Sequence, residues 1–148
     1  MPKLCTLYTA GYGNQSPTEF VKRLQEHEIN QVLDVRRKRS KSWCFGYWAG
    51  SQMEHTLACH AIGYEHVYQL GNDYDTLAEY FGWLQSSEPR RILRDVARVI
   101  GNSPESIFCL LCSEREAIVD EYVKCHRKYI ADAIVKKLGD GWEVEHLV

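Results

Sequence analysis

Apolar and polar positions along this chain follow a strand period and a helix period in turn. Residues 3–9 are rich in β-formers and run into the turn Gly11-Tyr12-Gly13-Asn14, which predicts a first strand. Ser16, Pro17 and Glu19 then spell a helix start: a capping side chain, a proline at the first helical position and the acid that closes a capping box. Phe20, Val21 and Leu24 share one helical face after it. Residues 31–35 predict a second strand, with Asp34 and Arg36 on one face and Val35 on the other. A long loop over 36–50 follows. Helical spacing returns over 51–62, where Met53, Leu57, Ala58, Ala61 and Ile62 make the apolar stripe and Gly63 the stop. Residues 64–68 alternate as a third strand, with Tyr64, His66 and Tyr68 on one face. A helix is expected over 74–86, through Leu77, Tyr80, Phe81 and Leu84. Ser87 caps the next, which Ile92, Leu93, Val96, Val99 and Ile100 line and Gly101-Asn102 stops.

Residues 106–112 are the most continuously apolar run in the chain. The run is short, rich in β-formers and bounded by turn signals, which predicts a fully buried central parallel strand. A helical stretch is expected beyond Arg115, interrupted before Cys125-His126-Arg127. Ile130, Ala133, Ile134 and Leu138 form the last helical stripe, Gly139 closes it, and 142–148 read as a final strand. Strands that alternate with helices imply βαβ crossovers. The expected fold is therefore a single α/β domain over 1–148: a mainly parallel sheet of about five strands with helices on both faces. There is no repeat, low-complexity tract or linker to divide it.

The length of 148 residues suits one domain with its own core, without need of disulfides. The N-terminus shows no signal-peptide apolar region, and no stretch approaches the ~20 apolar residues of a membrane span. A cytoplasmic protein with no membrane partner is expected, with its six cysteines as thiols. Oligomeric state is not legible. The net charge of −2 argues against a general nucleic-acid coat. It makes one local feature more informative: five of the six residues from Arg36 to Lys41 are cationic, and Trp43, Phe45, Tyr47 and Trp48 follow.

Ligands of open parallel sheets bind outside the C-terminal ends of the strands. That rule gathers Tyr12 and Asn14 after the first strand, Asp34, Arg36, Arg37 and Arg39 after the second, and Cys112-Ser113-Glu114 after the fourth. His126 and Arg127 join them if they open a helix at that edge. Guanidinium groups bind phosphate or carboxylate through paired hydrogen bonds, and aromatic rings stack on bases. Arg36 is the favoured anion contact, because the strand fixes it. The competing reading of Arg37, Lys38, Arg39 and Lys41 is a solvated loop, and that of the aromatics is packing. Asp34 either serves as a base or orients Arg36; the competing reading is that its carboxylate accepts backbone N–H bonds and fixes the loop. Cys112, between a buried strand and a helix, stands where a nucleophilic thiol would, with Glu114 or His126 to transfer protons. The alternative is an inert buried thiol. Cys109 and Cys112 face opposite sides of a strand and cannot chelate one metal. The spacing from Cys112 to Cys125 and His126 matches no specific zinc pattern, so no metal and no cofactor is expected.

Taken in order, several motifs resemble a known family. They are Thr9-Ala10-Gly11-Tyr12-Gly13-Asn14 with Ser16 and Phe20, Asp34-Val35-Arg36, Gly63-Tyr64 with Leu70-Gly71, Leu111-Cys112-Ser113-Glu114, Cys125-His126-Arg127 with Ile130-Ala131, and His146 after a strand. This set resembles the family termed domain of unknown function 488. The resemblance implies one α/β domain and a shared polar site of Arg36, Cys112, Glu114, His126 and Arg127, but no settled reaction. The chain departs from the pattern in lacking a proline after Asp34-Val35-Arg36, in carrying Gly71-Asn72 in place of two glycines, and in a longer stretch between Cys112 and Cys125.

The expected function is an enzyme or ligand-binding protein acting on an anionic, phosphate-bearing ligand, a nucleotide or nucleic-acid component among the candidates. Arg36 and Arg127 would hold the charge, with Cys112, Glu114 and His126 as the catalytic set. One alternative is a non-catalytic nucleic-acid-binding module using the loop 36–48. Another is a rhodanese- or cysteine-phosphatase-like thiol enzyme, although Cys112-Ser113-Glu114-Arg115 is acidic and short for the anion loop of those enzymes.

Overall fold

A computed structural model describes residues 4–12, 15–36, 50–72, 74–112, 118–119, 122–123 and 125–147. Strands β1 (Cys5–Gly11), β2 (Gln31–Asp34), β3 (Gly63–His66), β4 (Phe108–Cys112) and β7 (Trp142–His146) form one sheet in the order β3-β2-β4-β1-β7. Every pairing in it is parallel. The continuously apolar run becomes β4, the central strand, and all five of its residues are buried. Helices α1 (Pro17–Glu26) and α2 (Gly50–Ala58) cover one face, where Phe20, Val21, Leu24, Met53 and Leu57 pack with Val32, Cys109 and Leu111. Helices α3 (Leu77–Leu84), α4 (Ser87–Gly101) and α5 (Arg127–Leu138) cover the other, around Leu7, Leu33, Val35 and Leu110. The α/β sheet with helices on both faces is thus as the sequence predicts.

The strand order has a functional consequence. The chain leaves β1 through α1 on one face and leaves the adjacent β4 toward α5 on the other. Such a reversal between neighbouring strands opens a crevice at their C-terminal ends. Gly11 and Cys112 are register partners at that point, and β2 flanks it on the other side of β4.

Several boundaries differ from the expectation, each for a local reason. The stretch beyond Arg115 is not simply helical: β5 (Ile118–Val119) pairs antiparallel with β6 (Tyr122–Val123). β-Branched and aromatic residues on both sides of a two-residue gap favour a hairpin over a helix. The third strand stops at His66, and Tyr68–Leu70 turn as a 3-10 helix. Helix α3 starts only after its N-cap Thr76, whose hydroxyl accepts from Glu79 N at 3.1 Å and donates to Glu79 Oε1 at 3.1 Å. The cap of α4 is Ser86, one residue earlier than expected. Among the described residues no helix is long and apolar enough to cross a membrane.

The two helices on the β4–Cys109 side end alike. Glu28 and Ala61 have φ of 58° and 59°, in the left-handed region. Ile29 N bonds to Leu24 O at 3.0 Å, and Ile62 N to Leu57 O at 2.9 Å. These are Schellman closures that lack the usual glycine. The isoleucine that follows each one is buried and packs back on the helix, which offsets the backbone cost. Ala61→Gly removes the Cβ clash, so stability should rise by about 1 kcal/mol. A higher urea midpoint at unchanged slope would register it; a lower midpoint would contradict this closure.

Candidate functional site

Two polar groups meet at the C-terminal edge of the sheet, one on each face. The first grows from the end of β2. Arg36 Nε and Nη2 donate to Asp34 Oδ1 and Oδ2 at 2.8 and 2.7 Å, and Arg36 N donates to Oδ1 at 3.1 Å. Asp34 is 0% exposed and Arg36 5%. Tyr64, from β3, donates its hydroxyl to Asp34 Oδ2 at 2.5 Å, and Arg36 Nη1 donates to the Tyr12 oxygen at 3.3 Å. Burial works against the Arg36 charge, but Asp34 more than compensates and holds the guanidinium above its ordinary value. Burial and the Asp34 charge also raise Tyr64.

The backbone just beyond β2 is clamped by two imidazoles. His66 Nε2 donates to Arg36 O at 2.7 Å, and His126 Nε2 donates to Val35 O at 2.9 Å. A carbonyl only accepts, so each ring carries its hydrogen on Nε2, and Nδ1 of the neutral ring is an acceptor. The His126 ring also meets Tyr80 edge-on at 5.2 Å.

The second group lies under α5. Arg127, in its first turn, is 0% exposed. Its Nε donates to Thr9 Oγ1 at 3.0 Å and its Nη1 to Cys112 Sγ at 2.8 Å. Thr9 Oγ1 also forms a hydrogen bond with His146 Nδ1, 2.6 Å away. Cys125 and Cys112 share a side-chain hydrogen bond, and the Cys125 sulfur is 3.7 Å from His126 Nδ1. That bond to Cys112, then burial, raises Cys125. Burial disfavours the Arg127 charge, but the Cys112 and Cys125 sulfurs outweigh it and hold the guanidinium above its ordinary value. Cys109 packs against the opposite face, where burial pushes its thiol up to about 12. The pair three residues apart in β4 therefore splits across the sheet, as the strand period requires.

Of the residues singled out from sequence, Tyr12, Asp34, Arg36, Cys112, His126 and Arg127 converge on this edge. Asn14, Arg37, Arg39 and Glu114 lie outside the described residues, as do Lys38, Lys41 and the aromatics 43–48. The Asp34 carboxylate accepts from the Arg36 backbone N–H and from its guanidinium, so it both fixes the loop and orients Arg36. Arg36 presents its fork to Asp34. Sequence reading did not single out Thr9, Tyr64 and Cys125 as partners in the two groups; each stands in one of the ordered motifs, and the β-strand phase puts Thr9 on the Cys112 side. Among the described residues, no group of three or more His, Cys, Asp or Glu side chains is gathered for a metal ion.

Asp34→Asn leaves the buried Arg36 charge without its counterion and should cost about 3–5 kcal/mol in chemical denaturation. His146 offers a pH readout. Burial first, then Arg127 and Lys128, hold it below its ordinary 6.5, against an opposing Asp132. The unfolded chain then binds a proton that the folded one resists, so this contribution is present above pH 6.5 and lost as pH falls from there toward the folded value. Wild type should lose more stability than His146→Gln between pH 7 and about 5; parallel curves would contradict this environment.

The chain matches no family model, and no significant match was found among curated proteins or solved structures.

Proposed function

We propose that this protein acts on an anionic, phosphate-bearing ligand, of the nucleotide or nucleic-acid class, at the C-terminal edge of its sheet. The observation that carries this reading is the buried guanidinium of Arg127, 2.8 Å from the Cys112 sulfur at the reversal between β1 and β4. Parallel sheets take their ligands at that crevice, and a buried guanidinium beside it makes the local potential positive. The first turn of the 12-residue helix α5 adds amide groups of the same electrostatic sign. Arg36 has its fork on Asp34, so its part is to set where the basic run Arg37–Lys41 leaves the sheet. Arg37 and Arg39 would then make the outer phosphate contacts. Cys112 is the candidate nucleophile, and His126 and Glu114 are the proton-transfer groups. The ordered motifs that resemble domain of unknown function 488 support one shared polar site of this composition, and membership of that family is part of the proposal. So is a cytoplasmic setting.

Thermal shift and calorimetry with inorganic phosphate, a nucleoside, its mono- and triphosphate and a short oligonucleotide test this reading. Phosphate-bearing ligands should stabilise the protein, by about 2.7 kcal/mol at a concentration a hundredfold above Kd, and the nucleoside should not. The effect should weaken with salt and with Arg37→Ala and Arg39→Ala together. No stabilisation by any phosphate-bearing ligand overturns it. Oligonucleotide binding alone, unchanged in Cys112→Ser, selects the non-catalytic nucleic-acid module instead.

A further inference from the structure

The thiols at this edge form a unit that anion binding does not explain. Cys112 ends β4 and Cys125 sits two residues before Arg127, so helix docking brings together two sulfurs that are far apart in the chain. The Cys112 sulfur accepts from Arg127 Nη1 at 2.8 Å, which places positive charge where a thiolate carries its negative charge. The Cys125 side chain is hydrogen-bonded to that same sulfur. On its other side, His126 Nδ1 lies 3.7 Å away, with the ring hydrogen already committed through Nε2 to Val35 O. A thiolate site, a neighbouring thiol and a proton acceptor for that thiol thus stand in a row.

We infer that Cys112 and Cys125 are a redox-active pair, with Cys112 as the sulfur attacked first by a hydroperoxide and Cys125 as the resolving thiol. The Cys112 thiolate attacks one peroxide oxygen. The O–O bond breaks, sulfur is oxidised to the sulfenic acid, and the peroxide is reduced and leaves as hydroxide. Cys125 gives its proton to His126 Nδ1, and its sulfur attacks the Cys112 sulfur. The S–O bond breaks, and the departing hydroxide takes up a proton as water. In sum, two thiols and one hydrogen peroxide give one disulfide and two waters. Cys112 and Cys125 are 1% and 3% exposed, which selects against bulky disulfide oxidants and for the smallest peroxide, admitted by local opening. Neither Cys112 nor Cys125 is in a disulfide. Closing the disulfide removes the thiolate charge beside Arg127, so oxidation changes the electrostatics of the edge. The pair does not depend on what ligand, if any, binds there.

The test treats the full-length protein with hydrogen peroxide, blocks remaining thiols in denaturant and maps peptides without reduction. A peptide joining Cys112 to Cys125, the loss of those two thiols and their return with dithiothreitol are expected. In Cys125→Ser, dimedone should label Cys112, whereas wild type should be protected by disulfide closure. The inference is overturned if peroxide oxidises the exposed Cys5 and Cys59 while Cys112 and Cys125 stay reduced. It is equally overturned if dimedone labels Cys112 as strongly in wild type as in Cys125→Ser. The wild-type peptide map stands alone should the variant fail to fold.

Discussion

A fully buried guanidinium is the constraint around which the α5 side of this protein is arranged. Arg127 is 0% exposed, and a charge so placed is tolerable only where hydrogen-bond partners surround it. Its partners come from β1 through Thr9 and from β4 through Cys112, and Thr9 passes the connection to His146 on β7. One side chain in the first turn of α5 therefore ties that helix to three strands. Ile130, Ala131 and Ile134 then seat the same helix on Leu7 and Leu110. The apolar stripe holds the helix against the sheet, and the arginine sets its position along it.

The opposite face solves the same problem differently. Arg36 is also buried, but its counterion is Asp34, two residues earlier at the end of β2. Tyr64 on β3 and Tyr12, just past the end of β1, complete the hydrogen bonding. His66 and His126 hold the carbonyls of Arg36 and Val35, so the exit of the chain from β2 is fixed from both sides. The two arginines thus differ in electrostatic role. One is balanced by a carboxylate and serves the architecture of the loop origin. The other faces sulfur, whose charge depends on proton and redox state, and that is where chemistry can change the edge.

Much of the fold was legible because its signals are local. Ser16 caps α1 by accepting from Glu19 N at 3.2 Å, as the capping pattern requires. The run ending at Cys112 could only be a buried strand of a two-sided sheet. The hairpin of β5 and β6 was missed because short β-branched pairs embedded among charges read as part of a helical stretch. The candidate site was legible as an edge, from the strand ends, but not as a network. Arg127 and Thr9 are 118 residues apart, and Thr9 and His146 are 137 apart, so no spacing rule connects them. Arginine is also the residue that sequence reading places on the surface, and neither buried arginine obeys. The spacing of two between Asp34 and Arg36 puts both on one side of the chain, and that phase is what the ion pair between them uses.

A double-mutant cycle between Arg127 and Cys112 tests the central claim most directly. Arg127→Met, Cys112→Ala and the double variant would be unfolded in urea under reducing conditions. If the guanidinium and the sulfur form the electrostatic pair at the heart of this edge, the two substitutions will couple by about 1–3 kcal/mol. Additivity within about 0.3 kcal/mol would contradict the account and leave two neighbouring side chains that do not depend on each other.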